Sequence, residues 1–146
     1  MKGIGFLVTR IKICGLTRPC DIDAVNEIKP EYIGFVFANS RRKVELRQAL
    51  DLRRKLHSDI IPVGVFVNEL AENVVSVVKS GAIDIIQLHG AEDEQYIARL
   101  KEMTDAPIIK AIAVQKKGDA QKWEESVADY LMLDNGGGMV GILIGI

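Results

Sequence analysis

The sequence predicts an α/β protein built on a parallel sheet, and three observations carry that expectation. Short runs of apolar, branched residues recur along the 146-residue chain. Segments with helical spacing of apolar positions lie between them. A turn-forming or cap-forming residue stands after most of the runs, where a strand would give way to a helix. Near-continuous apolar strands of this kind must be covered on both faces, which intervening helices achieve.

The strand-like runs are "RIKIC" (10–14), "YIGFVF" (32–37), "IPVGVFV" (61–67), "IDIIQL" (83–88), "PIIKAI" (107–112) and "DYLMLD" (129–134). Helical spacing follows in turn. Leu46, Leu50 and Leu56 sit among charges. Leu70, Val74, Val75 and Val78 form a second apolar face, and Tyr96, Ile97 and Leu100 a third. Ala120, Trp123 and Val127 suggest one more. Thr17 with Asp21, Ser40, Asn68, and Gly90 ahead of Glu92 are the expected caps or turns, and "AEDE" at 91–94 suits a helix N-terminus. Six βα repeats fit an open doubly wound sheet by length. They fit equally well most of an eight-stranded barrel, which normally takes nearly a hundred residues more.

Composition narrows the function classes. Lys plus Arg number 19 against 20 Asp plus Glu, a balance that offers no electrostatic case for nucleic acid or a membrane surface. The opening "MKGIGFLVTRIKI" is interrupted at Arg10 and Lys12, too early to span a bilayer, so a cytoplasmic protein is expected. No G-x-G-x-x-G or G-x-x-x-x-G-K-[ST] follows any run, which weakens nucleotide binding. Cys14 and Cys20 do not make a disulfide framework, and neither histidine has a partner at metal-site spacing.

Polar residues instead gather at the C-terminal ends of the runs, the rim from which active sites are built in both α/β architectures. Cys14 closes "RIKIC". As a lone strand-end thiol it is a small buried hydrophobe or an acid–base or nucleophilic group, since the "GLTR" after it could supply backbone N–H groups and a cation. Asp134 interrupts "YLMLD" before "NGGG", either as a turn initiator or as a general acid facing a pocket. "NSRRKV" is a solvated cationic turn or an arginine fork for a carboxylate or phosphate. Gln87 and His89 stand two apart and would share one face of a strand.

Taken in order, "KICGLTR", "YIGFVFANSRRKV", "VGVFVNE", "IIQLHGAED", "IIKAI" and "YLMLDNGGG" resemble the phosphoribosylanthranilate isomerases of tryptophan biosynthesis, over roughly residues 10–138. The resemblance implies a (β/α)₈ barrel, incomplete here with about six βα units, and no cofactor or metal. It implies an Amadori rearrangement of N-(5-phosphoribosyl)anthranilate, with Asp134 as the acid that opens the furanose ring and Cys14 as the base that takes the C2′ proton. Arg42 would then meet the anthranilate carboxylate, while Gln87, His89 and Asn68 would line the pocket or support it.

After Gly138 the resemblance lapses. The chain reads "MVGILIGI", where the family continues into strands 7 and 8 and their phosphate-holding loops. A single domain over 1–146, truncated or altered after about 138, is the expectation. Strand edges left open would then be covered by the last eight residues, by the apolar "GIGFLV" near the start, or by a second copy of the chain.

Overall fold

A computed structural model of the chain describes residues 9–135 and 141–145. Strand and helix alternate as β1 (Lys12–Cys14), α1 (Pro19–Ile28), β2 (Tyr32–Val36), α2 (Leu46–Lys55), β3 (Ile61–Phe66), α3 (Ala71–Lys79), β4 (Ile85–Leu88), α4 (Glu94–Met103), β5 (Ile108–Ala113) and β6 (Tyr130–Asp134). Each strand pairs in parallel with the next, so the sheet order follows the chain from β1 to β6. That order decides between the two architectures. A doubly wound sheet reverses direction at a switch point, whereas a sheet that winds one way places every right-handed crossover helix on the same face. Six parallel strands and four helices thus form an open, incomplete (β/α) barrel.

Register sorts the side chains between two faces. Ile33, Phe35, Phe66, Ile86, Leu88 and Ile108 point outward and are buried against Ile22, Val25, Leu52, Val74, Ile97 and Leu100 of the helices. Each fully buried aliphatic or aromatic side chain contributes roughly 1.5–3 kcal/mol, so this outer layer is the main hydrophobic core. The opposite face, with Lys12, Cys14, Gln87 and Asp134, is the inside of the barrel.

Local chemistry starts the helices. Pro19 opens α1, and the Asp21 carboxylate accepts the backbone N–H groups of Thr17 (3.0 Å) and Arg18 (2.9 Å), as expected of that pair. Asp93 caps α4 by accepting from the Tyr96 N–H at 2.8 Å. The other expected caps are turn residues instead. α2 begins only after Glu45 and α3 only after Leu70. Ser40 accepts the Arg42 N–H within a turn, and Asn68 adopts φ 51°.

Two further expectations are corrected. Ala120, Trp123 and Val127 do not form a helical face, because only a 3₁₀ turn, Gln121–Trp123, stands there. Asp119 gathers the Gln115 and Lys116 N–H groups, both at 3.0 Å, into a tight turn, and the Val127 N–H goes to the Glu94 carboxylate at 3.0 Å rather than to a helical carbonyl. Nor is Glu92 a helix N-terminal charge. It is buried in the β4–α4 loop, paired with Lys110 of β5 at 2.9 Å.

This pair organises the rim from outside the barrel. The Lys110 ammonium also donates to the Gly90 carbonyl at 2.6 Å. Glu92 accepts from the N–H groups of Gly90 (2.8 Å) and Asn68 (2.7 Å), and the ring of Trp123 lies 5.6 Å from the ammonium. Three strand-end loops are thereby tied to one buried charge pair.

Beyond β6 the sheet changes direction. β7 (Gly141–Gly145) pairs antiparallel with β6, Asp134 opposite Gly141. Residues 141–145 of the apolar tail thus run along one sheet edge, as one of the three expectations had it. The "GIGFLV" alternative, at residues 3–8, and the glycines 136–138 lie outside the described residues.

Burial pushes the Glu92 carboxyl up, but the Lys110 ammonium and the backbone N–H donors outweigh it and hold it below its usual range. Asp21 is pulled to about 2, chiefly by the Arg18 side chain and then by the Thr17 N–H. Both pKa values are depressed on folding, so the stability they contribute is complete above the ordinary carboxylate range and lost as pH falls through the native values. Urea midpoints are therefore expected to hold from about pH 7 to 5 and to fall steeply below about pH 4. Lys110→Met, which strands a buried carboxylate, should cost about 3–5 kcal/mol at neutral pH in the same measurement.

Candidate functional site

Two close approaches position the thiol and the cation at the first strand end. Gly34 of β2 stands opposite Cys14, and a Cβ on it would lie 2.4 Å from Cys14 Sγ, so the missing side chain is the seat of the thiol. Gly15 turns the chain at φ 90°, a conformation that favours glycine, and its bare Cα lets Arg42 pass. A Cβ there would lie 2.4 Å from Arg42 Cδ. Arg42 Nη1 donates to the Cys14 carbonyl at 3.4 Å, while the side chain stays exposed at the rim. Cys14 is half-buried.

At the far side, Gln87 of β4, His89 just after it and Asp134 of β6 form a hydrogen-bonded chain. Gln87 Nε2 meets His89 Nδ1 at 2.9 Å, and His89 Nε2 meets Asp134 Oδ2 at 3.0 Å. Gln87 and Asp134 are buried, and His89 is partly open to solvent. The chain extends to the first strand as well, because Lys12 of β1 donates to Gln87 Oε1. In a flat sheet three strand spacings separate β1 from β4 by about 14 Å, with both side chains standing perpendicular to it. Their contact requires the sheet to curl inward.

Lys12 shares its face with Cys14, two residues on. Burial lowers the ammonium pKa, and the neighbouring Cys14 works against that shift. Cys14, Arg42, Gln87, His89 and Asp134 are thus gathered on one concave face or its rim. Asn68 is not. Its side chain accepts the Ala91 N–H at 2.7 Å and its own N–H serves Glu92, so it braces the β3 and β4 loops. Among the described residues no cluster of His, Cys, Asp or Glu is spaced to hold a metal ion, and no helix is long and apolar enough to cross a membrane.

No role at the site was read from the sequence for Lys12, Glu92 or Lys110. The signal was present for two of them, since "IKIC" and "PIIKAI" each set a lysine inside an apolar strand. A charge at such a place needs a buried partner.

Comparison with known proteins bears on the family and the fold. The family described as N-(5'phosphoribosyl)anthranilate (PRA) isomerase matches residues 11–144. The N-(5'-phosphoribosyl)anthranilate isomerase of Endomicrobium trichonymphae is 48% identical over 125 residues, 86% of this chain and 61% of the relative. The crystal structure of phosphoribosyl anthranilate isomerase from Thermus thermophilus superposes with a TM-score of 0.78 at 28% identity, over 86% of this chain and 62% of that one. A second structure, of a phosphoribosyl anthranilate isomerase in complex with reduced 1-(o-carboxyphenylamino)-1-deoxyribulose 5-phosphate, has a TM-score of 0.70 at 30% identity, covering 79% and 59%. The chain spans about three-fifths of the length of the relatives it matches.

The seat of the thiol can be tested directly. Gly34→Ala should cost roughly 1–3 kcal/mol through overpacking and should speed alkylation of Cys14 by pushing it out of place, measured in a Cys20→Ser background. Unchanged stability and reactivity would show that Gly34 does not form the seat.

Proposed function

The chain belongs to the N-(5'phosphoribosyl)anthranilate (PRA) isomerase family, and from that premise we propose that its concave rim is the acid–base portion of a site for the Amadori rearrangement of N-(5-phosphoribosyl)anthranilate, carried in this chain on its own by one open-barrel domain that does not turn the substrate over. Asp134 is the general acid. It protonates the ring oxygen, and the furanose opens to a Schiff base. Cys14, as thiolate, removes the C2′ proton. The electrons flow into the iminium nitrogen, which makes that proton removable, and the enolamine then becomes the ketone. Arg42, exposed beside Cys14, offers its planar fork to the anthranilate carboxylate. Gln87 and His89 support Asp134, and Asn68 holds the loops around the mouth.

One observation carries the idle half of this reading. The edge of β6, where another parallel unit would have to continue the barrel, is taken by antiparallel β7. Barrels of this type hold substrate phosphate with the loops after their seventh and eighth parallel strands, and no such loops stand among the described residues. At the other side β1 pairs with β2 alone among the described residues. β1 and β7 are the terminal strands of the sheet, and two copies of the chain meeting there would cover both, so self-association is the second part of the proposal.

An isomerisation assay with intact mass measured on the same sample tests the reading. The 146-residue chain should show no turnover above background and should sediment as a dimer or larger species. Catalytic efficiency equal to that of the longer relatives would overturn the idle reading. In that event Cys14→Ala and Asp134→Asn should each lose about 10²–10⁴-fold in rate, and Arg42→Ala should raise KM about tenfold or more. Undiminished isomerisation by Cys14→Ala would remove the assigned base.

A further inference from the structure

We propose that Lys12 is a positioning residue for Asp134, acting from the opposite side of the barrel through Gln87 and His89 to select which nitrogen of the His89 ring carries the proton. The proposal rests on the reading of Asp134 as the acid. It follows from the direction that each donor and acceptor imposes on the next. A lysine ammonium has three donors and no acceptor. Lys12 Nζ contacts Gln87 Oε1, so the amide oxygen of Gln87 faces β1. Its Nε2, which can only donate, is then turned to His89 Nδ1 at 2.9 Å. Nδ1 must accept and carries no proton. The proton of the neutral ring is placed on Nε2, which donates to Asp134 Oδ2 at 3.0 Å.

Neither Gln87 nor His89 could choose this direction alone. An amide can rotate about its last bond and exchange its oxygen for its nitrogen, and a neutral imidazole can hold its proton on either side. Gln87 is buried, so water does not compete for its amide. The donor-only ammonium sets the direction from one end, and the Asp134 acceptor agrees with it at the other. The consequence reaches the far strand. Oδ2 of Asp134 accepts from the Nε2–H, so the His89 ring holds the carboxyl in one orientation. An acid aimed this way differs from one free to present either oxygen.

Long-range ¹H–¹⁵N correlation spectra of the histidine rings read the tautomer directly, at a pH where imidazole is neutral. His57→Asn identifies the His89 signals. In the wild-type chain the Nε2–H form should dominate by about tenfold or more, the ratio that a charge-assisted hydrogen bond sustains. Lys12→Met should lower that ratio several-fold, leaving the preference that the Asp134 acceptor alone imposes. Gln87→Glu replaces the amide with a group that only accepts, and should place a proton on Nδ1 as well, since Asp134 still accepts at Nε2. A wild-type ring in the Nδ1–H form, or a ratio unmoved by Lys12→Met, would overturn the proposal. Should Lys12→Met not fold, a His89 ring without a proton on Nδ1 in Gln87→Glu overturns it equally. These spectra need no turnover, so an inactive chain still decides the role of Lys12, and a negative isomerase assay does not.

Discussion

A parallel sheet that winds in one direction has helices on one face only, and the other face must find its cover by curling over itself. Everything about the rim depends on that constraint. β1 to β6 follow in sequence order, and α1 to α4 cover the outward side chains. The inward side chains therefore meet each other across the concavity. Lys12 and Gln87 belong to strands three apart, yet they are hydrogen-bonded. Polar groups that would be costly on an apolar sheet become partners once the sheet bends.

Two polar systems divide the work at the strand ends. Outside the barrel, Glu92 and Lys110 form a buried pair that ties the loops after β3 and β4 to β5. Such a pair is a poor source of net stability but a demanding one, because either partner alone would be an uncompensated charge. Inside, a hydrogen-bonded chain runs from Lys12 through Gln87 and His89 to Asp134. The first system holds backbone in place, and the second links side chains of three strands across the concavity. Asn68 belongs to the first, although its place at a strand end resembles that of Cys14 and Asp134.

The placement of the thiol at the end of β1 has a steric cause. The thiol lies where Gly34 has no side chain, and the arginine passes where Gly15 has none. Two glycines on neighbouring elements thus admit two functional groups into a space that ordinary residues would fill. At the other end of the sheet, β7 satisfies the hydrogen-bonding edge of β6 but runs in the sense opposite to the rest. An antiparallel partner covers an edge without extending the barrel.

Legibility followed the range of the physics. The alternation of apolar runs and helical spacing is local, and it located the six parallel strands to within about two residues and the apolar faces of α2, α3 and α4. Cys14 and Asp134 stood out as polar ends of apolar runs, and Gln87 and His89 because a period of two assigns both to one face. The failures were equally physical. The segment around Trp123 has helical spacing but spends its residues on the Asp119 turn, and Glu92 reads as a helix-start charge although Lys110 draws it inward. By itself the sequence determined the parallel strands, their alternation with helices and the polar residues at the strand ends. Only the tertiary structure decided that the sheet winds one way, that Lys12 reaches Gln87, and that Asn68 braces loops, because each depends on which residues distant in sequence are brought within hydrogen-bond range.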